Sequence, residues 1–406
     1  MAESVKTLSV YINLKTKAFS TGLGRLSRTL KRFGSKLKAT GARLTSSITM
    51  PLALAGGASI KLATDFEASM TKITTLVGTS AGEVEKLKSS VLDLAGKTAQ
   101  APKDLADALF FIQSAGFKGQ ESLDILEMSA KGAAMGMGEL TDIANASTSI
   151  MTGWAKEGMT AQRATDLLHE TLKQGKFEAA DFMSKIGQVI PTAASFGISF
   201  EQLGASVATM SKLSGDAAGS LTAVNKLMMG LSAPAEQQLD ILNDMFGSYE
   251  NLSKSLKGDF MGTLKKIFTE LEGQDQQLVK VFGSTRAVKA AFATAGLQGE
   301  TYAEVLDGMN ESAGNVNEGF AEVSETSMFK FNKALAELKV AAIEMGAAIM
   351  PMATKMANWI GGLAKSFSNM SEQGKKTTLM IGGILLVAGP LLTLIGGLIS
   401  VGGTLI

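Results

Sequence analysis

The 406-residue chain contains no cysteine, which removes disulfide frameworks, thiolate zinc sites, iron–sulfur clusters and cysteine nucleophiles from the functions open to it. A single histidine, His169, leaves no second imidazole to share a metal or relay a proton. Only six prolines and 6% aromatic residues are present, so neither proline-rich turns between strands nor one large aromatic core is expected. Charge is missing in two places. Residues 4–64 carry 11 Lys and Arg and no acid, and residues 377–406 carry no charged side chain at all. From Asp65 onward 28 basic residues face 37 acidic ones, so the net charge of +1 conceals a basic beginning and an acidic remainder. Met1 to Tyr11 has no apolar run, and the short apolar patch 48–58 follows a long basic stretch, so the chain reads as made and kept in a cytoplasm.

What the chain does have is glycine, methionine and short apolar periodicity. With 44 glycines, 22 methionines and 45% hydrophobic residues, it suits many short helices that end on glycine. The expected fold class is all-α: a compact multi-helix core with an N-terminal amphipathic helical arm, a long C-terminal helical stalk and a terminal hydrophobic helix. The composition divides into a basic arm (1–64), a helical core (65–250), a smaller and more polar helical extension (251–327), an amphipathic stalk (328–376) and the uncharged segment (377–406). About nine short helices are expected in the core. Ser80 and Glu83 have capping-box spacing ahead of Val84 to Leu94. Pro102 suits a first helical turn, and Gly116 ends the apolar run Leu105, Leu109, Ile112. Gly175 closes 161–174, Gly197 closes a piece from Phe182 to Phe196, and Ser199 with Gln202 opens the next. The stalk pattern, Phe329 to Phe367, is expected to break at Pro351 and at Gly361–Gly362.

Two segments carry a helical seam. Leu23, Leu30, Leu37 and Leu44 lie seven apart with Leu26 and Phe33 between them, the a/d pattern of a short parallel coil, weakened by Gly34 and Gly41. Self-association, packing onto the chain itself, and docking on nucleic acid, an acidic protein wall or an anionic membrane all remain open for this arm. In the uncharged segment Gly382, Gly389, Gly396 and Gly403 recur every heptad, lining one face that lets like helices approach closely. Thirty residues at ~1.5 Å each exceed a bilayer core of ~30 Å, and Pro390 would kink the helix. A membrane span, a tight parallel helix seam and a glycine-rich core helix are its three readings.

Chemistry finds little support. Gly78-Thr79-Ser80-Ala81-Gly82 matches the nucleophile elbow of hydrolases and follows the β-branched stretch Ile73 to Val77. That elbow requires a parallel sheet, and no other stretch alternates with helices as such a fold demands. A capping serine explains the same residues. His169 reads as a solvated or half-buried helical histidine, and Asp104 with Asp107 as a solvated helix face. Gly132, Gly136 and Gly138 form no phosphate loop, since no Gly-Lys-Ser or Gly-Lys-Thr follows; Met135 and Met137 read as core filling. No catalytic, cofactor or metal site is expected. A membrane-permeabilising helical protein, such as a pore former, shares the uncharged segment but does not explain the basic heptad arm. A serine hydrolase rests on the five-residue elbow alone.

A run of stretches resembles the tape-measure proteins of tailed bacteriophages. These are Asp65-Phe66-Glu67-Ala68-Ser69-Met70 leading into Leu76-Val77-Gly78, then Ser114-Ala115-Gly116-Phe117 and Ala194-Ser195-Phe196-Gly197-Ile198-Ser199. Gly215-Asp216-Ala217-Ala218-Gly219-Ser220 and Leu231-Ser232-Ala233-Pro234 follow, so the resemblance covers about 65–244. Leu23-Gly24-Arg25-Leu26 and Met50-Pro51-Leu52 extend it to the arm. It implies a structural, oligomeric, helical protein of the virion that occupies the tail-tube lumen, sets tail length during assembly in the host cytoplasm and leaves ahead of the genome. The implied partners are further copies of itself, three in number by the resemblance, together with tail-tube protein, tail assembly chaperones and tail-tip proteins. The host inner membrane is implied for residues 377–406, and DNA is an open partner for the arm. Many family members are longer, with repetitive helical or wall-cleaving regions that this sequence lacks.

Overall fold

Helix-start signals in the sequence set the element boundaries. In the computed structural model, which describes residues 50–295 and 299–372, Ser80 is extended and its hydroxyl accepts the Glu83 N–H at 3.3 Å. Ser199 and Gln202 complete a reciprocal capping box, and Pro102 occupies a first-turn position where its missing N–H costs nothing. Thr160, Asp216, Ser248 and Asp259 cap four more helices by accepting the N–H three residues on. Each such cap contributes roughly 1 kcal/mol.

All regular elements among the described residues are helical. In order they are α1 (Met50–Lys72), a π-helical turn (Ile73–Val77), α2 (Ala81–Thr98), α3 (Pro102–Ser114), α4 (Gly119–Ala134), α5 (Leu140–Gly153) and a 3-10 turn (Ala155–Glu157). Next come α6 (Ala161–Gln174), α7 (Ala179–Ile186), α8 (Ile190–Ser195), α9 (Phe200–Ser214), α10 (Ala217–Ser232), α11 (Glu236–Phe246) and α12 (Tyr249–Gly258). The series ends with α13 (Phe260–Glu270), α14 (Asp275–Phe282), α15 (Thr285–Ala295), α16 (Gly299–Asn310), α17 (Asn315–Ser324) and α18 (Ser327–Ser368).

The chain divides into two units, Leu62–Ile343 and a second made of Met1–Lys61 with Glu344–Ile406. In the first, Leu105, Leu109 and Ile112 of α3 are wholly buried where that helix meets α4 and α5. α9 packs against α6, α10, α15 and α16, and its Phe200, Leu203 and Val207 are likewise buried. Each such apolar side chain removed from water contributes roughly 1.5–3 kcal/mol. Trp154 links the 3-10 turn to the start of α9: its indole N–H donates to Ile198 O at 3.1 Å and its ring meets Phe200 edge-on at 5.5 Å. In the second unit, Ser59 Oγ lies 4.0 Å from Met345 Sδ.

Two local expectations need correction. The piece expected from Phe182 to Phe196 is two helices, α7 and α8, because Pro191 stands in the first turn of the second and lacks the N–H to continue the first. The Ile73–Val77 stretch ahead of the elbow-like motif forms a π-helical turn, closed by Gly78 in the left-handed region. The stalk does not break at Pro351 or Gly361–Gly362; α18 runs through all three. A proline removes one intrahelical bond and crowds one carbonyl, and the bonds on either side hold the helix together. The expected arm seam (Leu23, Leu26, Leu30, Phe33, Leu37, Leu44) and glycine seam (Gly382, Gly389, Gly396, Gly403), with the terminal hydrophobic helix, lie outside the described residues.

Candidate functional site

The residues considered for chemistry are placed as structural groups. Ser80 is exposed and its hydroxyl is engaged as a cap. His169 is half-buried in α6 with Nδ1 enclosed and unpartnered; burial lowers its pKa below the ordinary imidazole value, against the opposing charge of Glu170. Burial tends to raise the Asp107 carboxyl, but hydrogen bonds from Lys103 and Ser69 and the charges of Lys103 and Lys72 hold it below the usual range. Met137 is buried against Gly132, where an added Cβ would stand 3.0 Å from its sulfur. No group of three His, Cys, Asp or Glu among the described residues could hold a metal ion. No described helix is long and apolar enough to cross a membrane.

The most developed polar cluster in the larger unit is a clasp on α6. Asp166, only 1% exposed, accepts the backbone N–H groups of Gly314 at 2.7 Å and Val316 at 2.9 Å, so it caps α17 from a distant helix. Negative charge at a helix N-terminus is favoured both by the unpaired N–H groups and by the macrodipole. One turn on, Glu170 accepts from Asn315 Nδ2 at 3.0 Å and Gln174 Nε2 at 2.7 Å. One turn back, Arg163 donates to Ser312 Oγ at 2.9 Å, Glu201 Oε1 at 2.9 Å and Met309 O at 3.0 Å. Three residues at helical spacing thus fix the entry to α17. α17 in turn holds the start of α18, where Phe320 meets Phe329 edge-on at 5.4 Å.

This anchoring decides which face of α18 is covered. Within the larger unit Phe329, Ala336 and Ile343, one heptad apart, are buried. Met328, Phe331, Leu335 and Leu338 are turned outward, with Met328 68%, Phe331 61% and Leu338 66% exposed. At 100° per residue the two rows are centred about 120° apart around the helix. The outward row steps by three and four residues, the a/d register of a helix that expects a helical partner. Within the second unit Met345, Met352, Met356 and Trp359 are also exposed, and in sequence they continue the same register through Ala342 and Ile349. Met-rich faces adapt well to packing partners. The seams expected from sequence lie on 23–44 and 382–403, outside the described residues, and this stretch is expected there only as a stalk, although the three-four spacing from Met328 is legible in the sequence.

Comparison with known proteins gives a consistent picture. Residues 88–284 match the family model described as phage-related minor tail protein. The chain is 26% identical over 376 residues to the "Tape measure protein" of Pneumococcus phage Dp-1, an alignment covering 90% of this chain and 32% of that protein. It is 25% identical over 322 residues to the "Probable tape measure protein" of Clostridium phage phiCD119, covering 77% of this chain and 34% of that one. The chain therefore spans about a third of the length of these curated relatives. No solved structure matches.

Proposed function

Starting from a chain that is related to the tape-measure proteins of tailed bacteriophages, we propose that it serves the phage tail as a structural ruler: it lies in the tail-tube lumen, contributes to tail length during assembly and leaves with genome ejection. The relationship carries the reading, and the 42-residue α18, about 63 Å long at the helical rise, supplies an extended element of the kind a ruler needs. The exposed three-four row of α18 supports self-association, so further copies of the chain are the first partners, with tail-tube, chaperone and tail-tip proteins beside them. Entry of 377–406 into the host inner membrane at infection belongs to the same proposal.

Removing the three heptads Met345–Lys365 in frame tests the ruler directly. This deletion spares the buried Phe329, Ala336 and Ile343 and preserves the seam register. Tails measured by electron microscopy should shorten by about 32 Å, the rise of the removed turns. Tails of unchanged length would show that this helix does not measure them.

A further inference from the structure

A groove of about 660 Å³ opens between the end of α9, the start of α10 and one face of α15. Its apolar surface comes from Met210, Leu213 and Ala218, and Arg286 and Lys289 stand on its α15 side. Leu213 is 55% exposed although it faces a concave surface. We propose that this groove docks a short acidic and apolar segment of a partner protein, the apolar side chain seated on Leu213 and Met210 and the carboxylates on Arg286 and Lys289.

Three features make the groove a prepared surface. The Gly215–Ser220 turn, one of the stretches that carried the family resemblance, forms a wall and is internally complete: the Asp216 carboxylate accepts the Gly219 N–H at 2.5 Å. A Cβ on Gly219 would stand 2.5 Å from that same carboxylate, so a side chain there would have to displace the cap. Asp216 is thus committed to its own helix and forms no ion pair with either groove cation. On the other wall, Ala287, Ala290 and Ala291 are buried, which turns Arg286 and Lys289, three residues apart and both exposed, outward together. Neither has an ion-pair partner among the described residues. Two free cations beside an apolar floor favour a ligand that carries both properties, and interface cores draw on Arg and Met in this way.

Segments 4–64 and 377–406 of this chain do not match that chemistry, since the first has cations without acids and the second no charge. A phosphate backbone would be expected to meet a denser array of cations than two beside an apolar floor. The charge and apolar complementarity of the groove assign the occupant to an acidic and apolar segment of a partner protein.

The test is a random-peptide display selection on the intact chain, followed by binding of the enriched, fluorescently labelled peptides to wild type and to Arg286→Glu/Lys289→Glu. Both substituted residues are exposed, and unchanged thermal unfolding checks that the variant is folded. Enrichment of peptides pairing Glu or Asp with Leu, Ile or Phe is expected, with binding at least about tenfold weaker to the variant and weaker at high salt. Leu213→Ser should weaken the same peptides while leaving the charge of the groove unchanged. Absence of enrichment, enrichment of basic peptides, or equal binding to the variants would overturn the proposal. So would loss of self-association or of oligonucleotide binding as the only effect of the substitutions.

Discussion

At the residue scale the chain shows how a polar side chain of unremarkable sequence can hold distant chain. Asp166 accepts two backbone N–H groups from residues about 150 positions later. In Asp166→Asn the amide offers one accepting oxygen and presents an NH2 where the second N–H points. One buried donor is left unsatisfied and a charge-assisted bond is lost. The expected destabilisation is about 2–3 kcal/mol, read as a lower urea midpoint of the intact chain, while Asp104→Asn on the open side of α3 should change it by less than about 0.5 kcal/mol. Sequence could identify Ser80 or Ser199 as caps because donor and acceptor are three residues apart. It could not identify Asp166, whose partners are brought to it only by folding.

At the scale of elements, the pairing of α10 with the end of α14 rests on close backbone approach. A Cβ on Gly230 would lie 2.9 Å from the carbonyl oxygen of Phe282 and 3.3 Å from its carbonyl carbon. Backbone has less room to yield than the tip of a flexible side chain, so Gly230→Ala must push the end of α14 away from α10. The gain of about 1 kcal/mol in helix propensity opposes the strain of overpacking, about 1–3 kcal/mol. Net destabilisation of about 1 kcal/mol is expected, with faster amide exchange in both α14 and α15. Gly258, beside which an added Cβ meets nothing within 4 Å, provides the control in which Ala is tolerated. Element boundaries are legible where a cap or glycine lies at the terminus, as at Gly175 and Ser199. They were misread where one residue decides between continuation and a break. Pro191 ends a helix because it stands in a first turn between two short pieces, whereas Pro351 lies deep within a helix that has many other bonds.

At the scale of the whole molecule the proposed self-association is tested on the exposed row of α18. Phe331→Glu with Leu338→Glu places carboxylates at two seam positions that are exposed in the single chain. The chain's own unfolding temperature should therefore stay nearly constant. Sedimentation of the wild type should show association, and the double variant should weaken it by at least about 100-fold, roughly 2.7 kcal/mol. A wild-type chain that remains monomeric at assembly concentrations would remove self-association from the proposal.

The sequence by itself determined the all-α class, most helix starts and stops, and the lack of cysteine or paired histidine chemistry, because these depend on residue identity or on neighbours within one or two turns. Its order of short stretches also carried the family resemblance. Tertiary structure decided which apolar row of α18 is buried and which is left open, that Asp166 caps α17, and that Arg286 and Lys289 border the Gly215–Ser220 turn. Heptad spacing gives both rows of α18 the same signal in the chain. Only the packing of Phe329, Ala336 and Ile343 inward, on a helix held through α17 by the α6 clasp, determines which one faces solvent.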